Sequence, residues 1–96
     1  MTSRELERQK SVFQNKVNKV LDSYRNIILK IGEVDEVIEN NEDSLLRKSI
    51  PEKNQEIINR CNNAINRITN HETRVINTLN NRIEQLKLEE QQKENE

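Results

Sequence analysis

Apolar residues recur every three or four positions from Phe13 through Val17, Val20, Tyr24, Ile27, Ile31 and Val34 to Ile38. Spacing of about 3.5 residues keeps one stripe of a slightly underwound helix turned towards a neighbour, so this stretch predicts a coiled-coil seam. The second half carries a seven-residue repeat: 57–63, 64–70 and 71–77 align, with arginine at 60, 67 and 74 and asparagine at 63, 70 and 77. Its seam is predicted at Ile58, Cys61, Ile65, Ile68 and Val75, then Leu79, Ile83 and Leu86. Between Ile68 and Leu79 the stripe steps through Glu72 and Ile76, a stutter that locally unwinds a supercoil.

Turn-forming residues are scarce, with one glycine and one proline in 96 residues. Ser49-Ile50-Pro51-Glu52 reads as a helix start: a serine cap, proline in the first turn, and a glutamate able to reach back. Ile50, as the residue before proline, is biased out of the α region and would close the preceding helix. Thr2 and Glu5 form a similar capping box near the N-terminus. The prediction is a helix over about 3–48, a turn over about 48–51, and a second helix over about 50–94 with a frayed acidic C-terminus. Asn40-Asn41-Glu42-Asp43-Ser44 is the weak point of the first helix, because its helix propensity is poor.

Charge chooses the orientation of the two helices. Glu33, Asp35, Glu36, Glu39, Glu42 and Asp43 form an acidic stretch without a base, while residues 4–19 are mainly basic. The second half runs the other way, from Lys53, Arg60, Arg67 and Arg74 to Glu84, Glu89, Glu90, Glu94 and Glu96. Folding back antiparallel sets acid against base at both ends; parallel stacking would set like against like. In the register centred on the predicted turn, Val34 meets Ile65, Ile31 meets Ile68, Val20 meets Leu79, Val17 meets Ile83 and Phe13 meets Leu86. The fold class predicted is all-α: two long helices forming an antiparallel coiled-coil hairpin, part of a larger helical bundle.

The larger bundle follows from apolar residues beside the seam. Leu21, Ile28, Leu29 and Val37 flank it on the first helix, and Ile57, Ala64 and Ile76 widen it on the second. Two helices cannot cover all of these, so Leu21, Ile28 and Val37 are read as docking positions for further helices. Composition agrees: 31% hydrophobic, 2% aromatic and 34% charged residues is too apolar-poor for a compact globular core. Low hydrophobicity is also a mark of disorder, but strict periodicity argues against it.

Candidate chemistry is sparse. Cys61 and His71 are the only residues of their kinds, ten positions apart in the sequence, and supply no metal-ligand set. There is no glycine-rich phosphate loop and no nucleophile motif, so no catalytic, cofactor-binding or metal residue, and no small-molecule ligand, is expected. Cys61 reads as a small core residue. Arg60, Arg67 and Arg74 could track a phosphate backbone; the favoured reading is an exposed ladder facing the acidic 33–43 stretch, so nucleic acid is not the expected partner. Asn41 and Glu72 fall at core-like positions, read as a kinked or solvated edge. Net charge of −1 gives no whole-chain field for nucleic acid or membrane.

The N-terminus lacks the apolar region of a secretory signal, and the longest apolar run, Ile27-Ile28-Leu29, falls far short of the roughly 20 residues of a membrane span. A soluble chain of the cytoplasm or nucleus is expected, and a single cysteine suits a reducing compartment. The layout is similar to that of small subunits of coiled-coil assemblies such as kinetochore, transcription-coregulator and vesicle-tethering complexes, a likeness of build that carries no residue across. The expected function is a non-catalytic structural or adaptor subunit that assembles a multi-protein complex with other helical subunits. The alternatives are a nucleic-acid-binding module using the arginine ladder and a self-contained homo-oligomeric bundle.

Overall fold

A computed structural model describes residues 1–95 of the chain. It is an all-α hairpin of two helices, α1 (Ser3–Glu39) and α2 (Ser44–Glu94). Glu96, counted above among the late acids, lies outside the described residues. The chain divides into two compact units. The turn unit is Val20–Arg67; the terminal unit joins Met1–Lys19 to the stretch from Ile68 onward.

The connection lies at residues 40–43, within the asparagine-rich weak point, and the expected turn at 48–51 is corrected. Local hydrogen bonds explain the shift. Asn41 donates its N–H to the Ile38 carbonyl at 2.9 Å, and its Oδ1 accepts from the Asp43 N–H at 2.9 Å. Asp43 Oδ1 then accepts from the N–H groups of Leu45 (2.9 Å) and Leu46 (3.3 Å), satisfying donors that the first turn of α2 would otherwise leave open. A carboxylate there also complements the positive helix N-terminus, where α2 itself has no acid. Pro51 consequently lies inside α2 and not at its start. It removes one i to i−4 bond but does not end the helix.

Moving the turn moves the register. In the turn unit Asn54 donates from Nδ2 to Asp35 Oδ1 at 2.7 Å, whereas the expected pairing set Asp35 opposite Ala64. The observed bond brings Ile31 level with Ile58, Ile28 with Cys61 and Tyr24 with Ile65. Glu39 comes level with Ile50, so the first turn of α2 has no α1 residue opposite it, and Leu45 and Leu46 are exposed. The expected contact of Val34 with Ile65 is likewise corrected, and in the terminal unit the bonds of Ser3 to Glu90 and of Lys10 to Asn80 set Phe13 several residues away from Leu86.

In the terminal unit the antiparallel course is read from three contacts. Ser3 bonds Glu90, Glu7 pairs with Lys87, and Lys10 donates from Nζ to Asn80 Oδ1 at 2.8 Å, so numbers rise on α1 as they fall on α2. Its core is Leu6, Ile83 and Leu86, with Leu79 packed against them. The turn unit contributes Leu21 and Cys61 as its buried apolar residues. At the start of α1, Thr2 Oγ1 accepts from the Glu5 N–H at 3.1 Å, which is the cap expected from the sequence.

Two outcomes test this account. Asp43→Ala should cost about 1 kcal/mol, the usual value of a lost N-cap, whereas Ser49→Ala should change stability by less than about 0.5 kcal/mol; urea unfolding of both variants measures the difference, and the reverse order would return the turn to Ser49. Gly32 is exposed and helical, with nothing within 4 Å of an added Cβ. Gly32→Ala should therefore raise stability by about 0.5–1 kcal/mol in the same assay.

Candidate interaction surface

In the turn unit the α1 residues turned towards α2 are Leu21, Tyr24, Ile28, Ile31, Asp35 and Ile38. The residues immediately before Leu21, Ile28 and Asp35 are Val20, Ile27 and Val34, and these remain 46%, 43% and 49% exposed. On α2 the inward residues are Asn54, Ile58, Cys61 and Ile65, and those immediately before Ile58 and Ile65 are Ile57 and Ala64. An antiparallel pair sets equivalent flanking rows side by side, so the two rows line the same side of the seam. Ile50 extends the α2 row by one heptad. The opposite flank holds Arg25, Gly32 and Glu39 on α1 with Gln55 and Asn62 on α2. One flank is therefore apolar over its length and the other polar.

The sequence-predicted residues divide accordingly. Phe13, Val17, Tyr24, Ile31 and Ile38 on α1 are half-buried, as are Ile58, Ile65, Ile68, Val75 and Leu79 on α2; Cys61, Ile83 and Leu86 are buried. Val20, Ile27 and Val34 are corrected from seam to flank. Leu21 and Ile28, read as docking positions, occupy the seam instead, and Val37 stays 72% exposed. The exchange has a simple origin: α1 carries apolar residues in adjacent pairs, Val20-Leu21 and Ile27-Ile28, and a step of four from Val17 selects the second of each. Leu6, Ser3 and Glu90 were missed. The seven-residue interval from Leu6 to Phe13 was the available signal for the first.

Electrostatics across the helices differ from expectation. Among the described residues no ion pair joins Arg60, Arg67 or Arg74 to the acidic 33–43 stretch. An interhelical ion pair joins Lys87 to Glu7 at 3.0 Å, in the terminal unit. Both side chains are about half exposed there, so the pair is worth about 0–1 kcal/mol. At the end of the same unit Glu90 clamps the start of α1: Oε1 accepts from the Ser3 N–H at 2.7 Å and Oε2 from the Ser3 hydroxyl at 2.8 Å. The bond from the backbone N–H, then that from the hydroxyl, hold the Glu90 carboxyl below its usual range; Lys87 and Lys93 add to the effect, and partial burial opposes it.

Other polar groups make no site. Asn41 is used in the turn. Glu72 is half-buried on α2, with Oε2 buried and without a hydrogen-bond partner. A shallow groove beside His71, Arg74, Val75, Thr78 and Leu79 is lined by α2 alone. Among the described residues there is no cluster of His, Cys, Asp or Glu suited to a metal ion, and no helix is long and apolar enough to cross a membrane. Comparison of the chain with protein-family models, with curated proteins and with solved structures found no match.

The Glu90 clamp predicts a pH dependence. A carboxyl whose pKa is lowered on folding contributes stability that is present above its unfolded value, near 4.5, and is lost as pH falls through the lower folded value. Glu90→Gln should lower the urea midpoint at pH 7 and lose most of that difference at pH 3. The Ser3 amide should also exchange faster with solvent in the variant at pH 7, and an unchanged rate would remove the clamp from the account.

Proposed function

We propose that this chain is a non-catalytic structural subunit whose turn unit docks against other helices and so helps to assemble a multi-protein complex. The observation that carries this reading is the one-sided apolar flank of Val20, Ile27 and Val34 with Ile57 and Ala64. Single exposed apolar residues are ordinary on protein surfaces. Rows at seven-residue intervals on two adjacent helices, confined to one side of the seam, form a continuous strip, and such strips mark interaction surfaces. Covering them by a third or fourth helix is the standard architecture of helical bundles.

The energetics point the same way. Removing apolar area from water contributes about 25 cal/mol per Å², against roughly 1–2 kcal/mol per residue for ordering the backbone. In the turn unit the buried apolar residues are Leu21 and Cys61 alone among those described, a thin core for so long a hairpin. A further helix laid on the apolar flank would complete it. The setting we assign is a reducing compartment, cytoplasm or nucleus, where the buried free thiol of Cys61 stays reduced.

Light scattering with circular dichroism over a wide concentration range tests the reading. The chain alone should melt broadly, and its helicity should rise when a Leu- and Ile-striped helical peptide is added. Replacing Ile27 and Ile57 together by Glu should abolish that rise while leaving the dilute spectrum unchanged, because neither side chain belongs to the seam. A fully helical monomer that melts cooperatively at every concentration would overturn the proposal.

A further inference from the structure

The rim of the apolar flank carries charge of one sign. On a helix, the residue three positions beyond a flank residue lies beside it, on the side away from the seam. On α2 those positions, beyond Ile50, Ile57 and Ala64, are Lys53, Arg60 and Arg67; on α1, beyond Val20, Ile27 and Val34, they are Ser23, Lys30 and Val37. No acid occupies the rim. Lys30 lies 3.8 Å from Glu33, while Lys53, Arg60 and Arg67 have no ion-pair partner among the described residues. All of these residues belong to the turn unit.

We infer that the partner docking on this flank is an amphipathic helix of a different chain, apolar along one stripe and acidic along its edges. This rests on the interaction reading above and adds the chemistry of the occupant. A second copy offering the same flank would set Lys53, Arg60 and Arg67 against the same bases or against Ser23, Lys30 and Val37, rows that hold no acid, and like charges brought together at an interface select against that pairing. An acidic-edged helix would instead lay carboxylates along the unpaired bases, where arginine offers paired donors suited to a carboxylate. The flank itself favours a helix over a lipid surface. Its side chains are Val, Ile and Ala, which form shallow holes at seven-residue intervals for the knobs of a third helix. Interfacial membrane helices use Trp, Phe and Leu, which are absent from these rows.

The probes are two synthetic heptad peptides with the same Leu and Ile stripe, one edged by Glu and the other by Lys, each titrated into the full chain by fluorescence anisotropy. Vesicles containing phosphatidylserine are run in parallel. The Glu-edged peptide should bind at least tenfold more tightly than its twin, with the margin shrinking as salt rises. Arg60→Glu with Arg67→Glu should reverse the order while leaving the circular dichroism spectrum intact, since both side chains are exposed. Ile57→Glu should weaken both peptides. Equal affinities, failure of both peptides to bind, or binding to vesicles without discrimination between peptides would each overturn the inference. A chain that self-associates through the flank but ignores the Glu-edged peptide would overturn it and leave the interaction reading standing; a cooperative helical monomer that binds nothing would remove both.

Discussion

The hydrogen bonds of Asp43 to the Leu45 and Leu46 amides determine where α2 begins, and the layout of the turn unit depends on that start. Asn41 holds Asp43 in place, so the connection is a chain of local side-chain-to-backbone bonds that competes with continuing α1. Pro51 does not set the turn. A helix already begun at Ser44 loses one hydrogen bond at the proline, whereas a break at Ile50 would create a further helix start whose first-turn donors Ser49 would have to cap. Once the start is fixed, a connection this short leaves little freedom in which residue of α2 lies beside which residue of α1. Asp35 bonded to Asn54 is the direct mark of that register.

The same register explains an unusual choice on α1. Turning the helix by one residue would bury Val20, Ile27 and Val34, and would release Leu21, Ile28 and Asp35 to solvent. On apolar content alone the two faces differ by little in the first two heptads, but the third sets a valine against an aspartate. Burying Asp35 while Val34 stays half exposed is unfavourable unless the carboxylate is satisfied, and Asn54 supplies a bond of 2.7 Å. A polar pair of this kind fixes register more than it adds stability, as single polar residues do in coiled-coil cores. Its consequence is an apolar row facing outwards.

Much of this was legible in the sequence. The helical class, the Thr2 cap and the seam of α2 follow from spacing and capping chemistry that act over a few residues. Even the true turn lay in the stretch with the poorest helix propensity. The turn position was misjudged because a serine-proline start and an asparagine-aspartate start compete, and both satisfy the rules for a helix N-terminus. The flank was misjudged because adjacent apolar pairs fit either of two phases, and only tertiary register separates Val20 from Leu21 or Ile27 from Ile28. Glu90 was invisible for a different reason: a clamp on Ser3 joins residues from opposite ends of the described chain.

Charge segregation along the chain has an outcome other than cross-helix pairing. The terminal unit stitches its helices with polar contacts, Ser3 to Glu90, Glu7 to Lys87 and Lys10 to Asn80, and its flanking positions at Gln9, Lys16, Arg82 and Glu89 are polar. The turn unit places Lys30, Lys53, Arg60 and Arg67 on a rim, where the three α2 bases meet no acid among the described residues. Exposed ion pairs contribute little to stability in any case, so bases left unpaired cost the hairpin little. Their field still acts on whatever approaches the apolar rows, because selectivity between partners is a difference in interaction energy and does not require a net gain in folding. The two units thus differ in composition: polar contacts join the helices of one around its apolar core, while the other keeps an exposed apolar row edged by Lys53, Arg60 and Arg67.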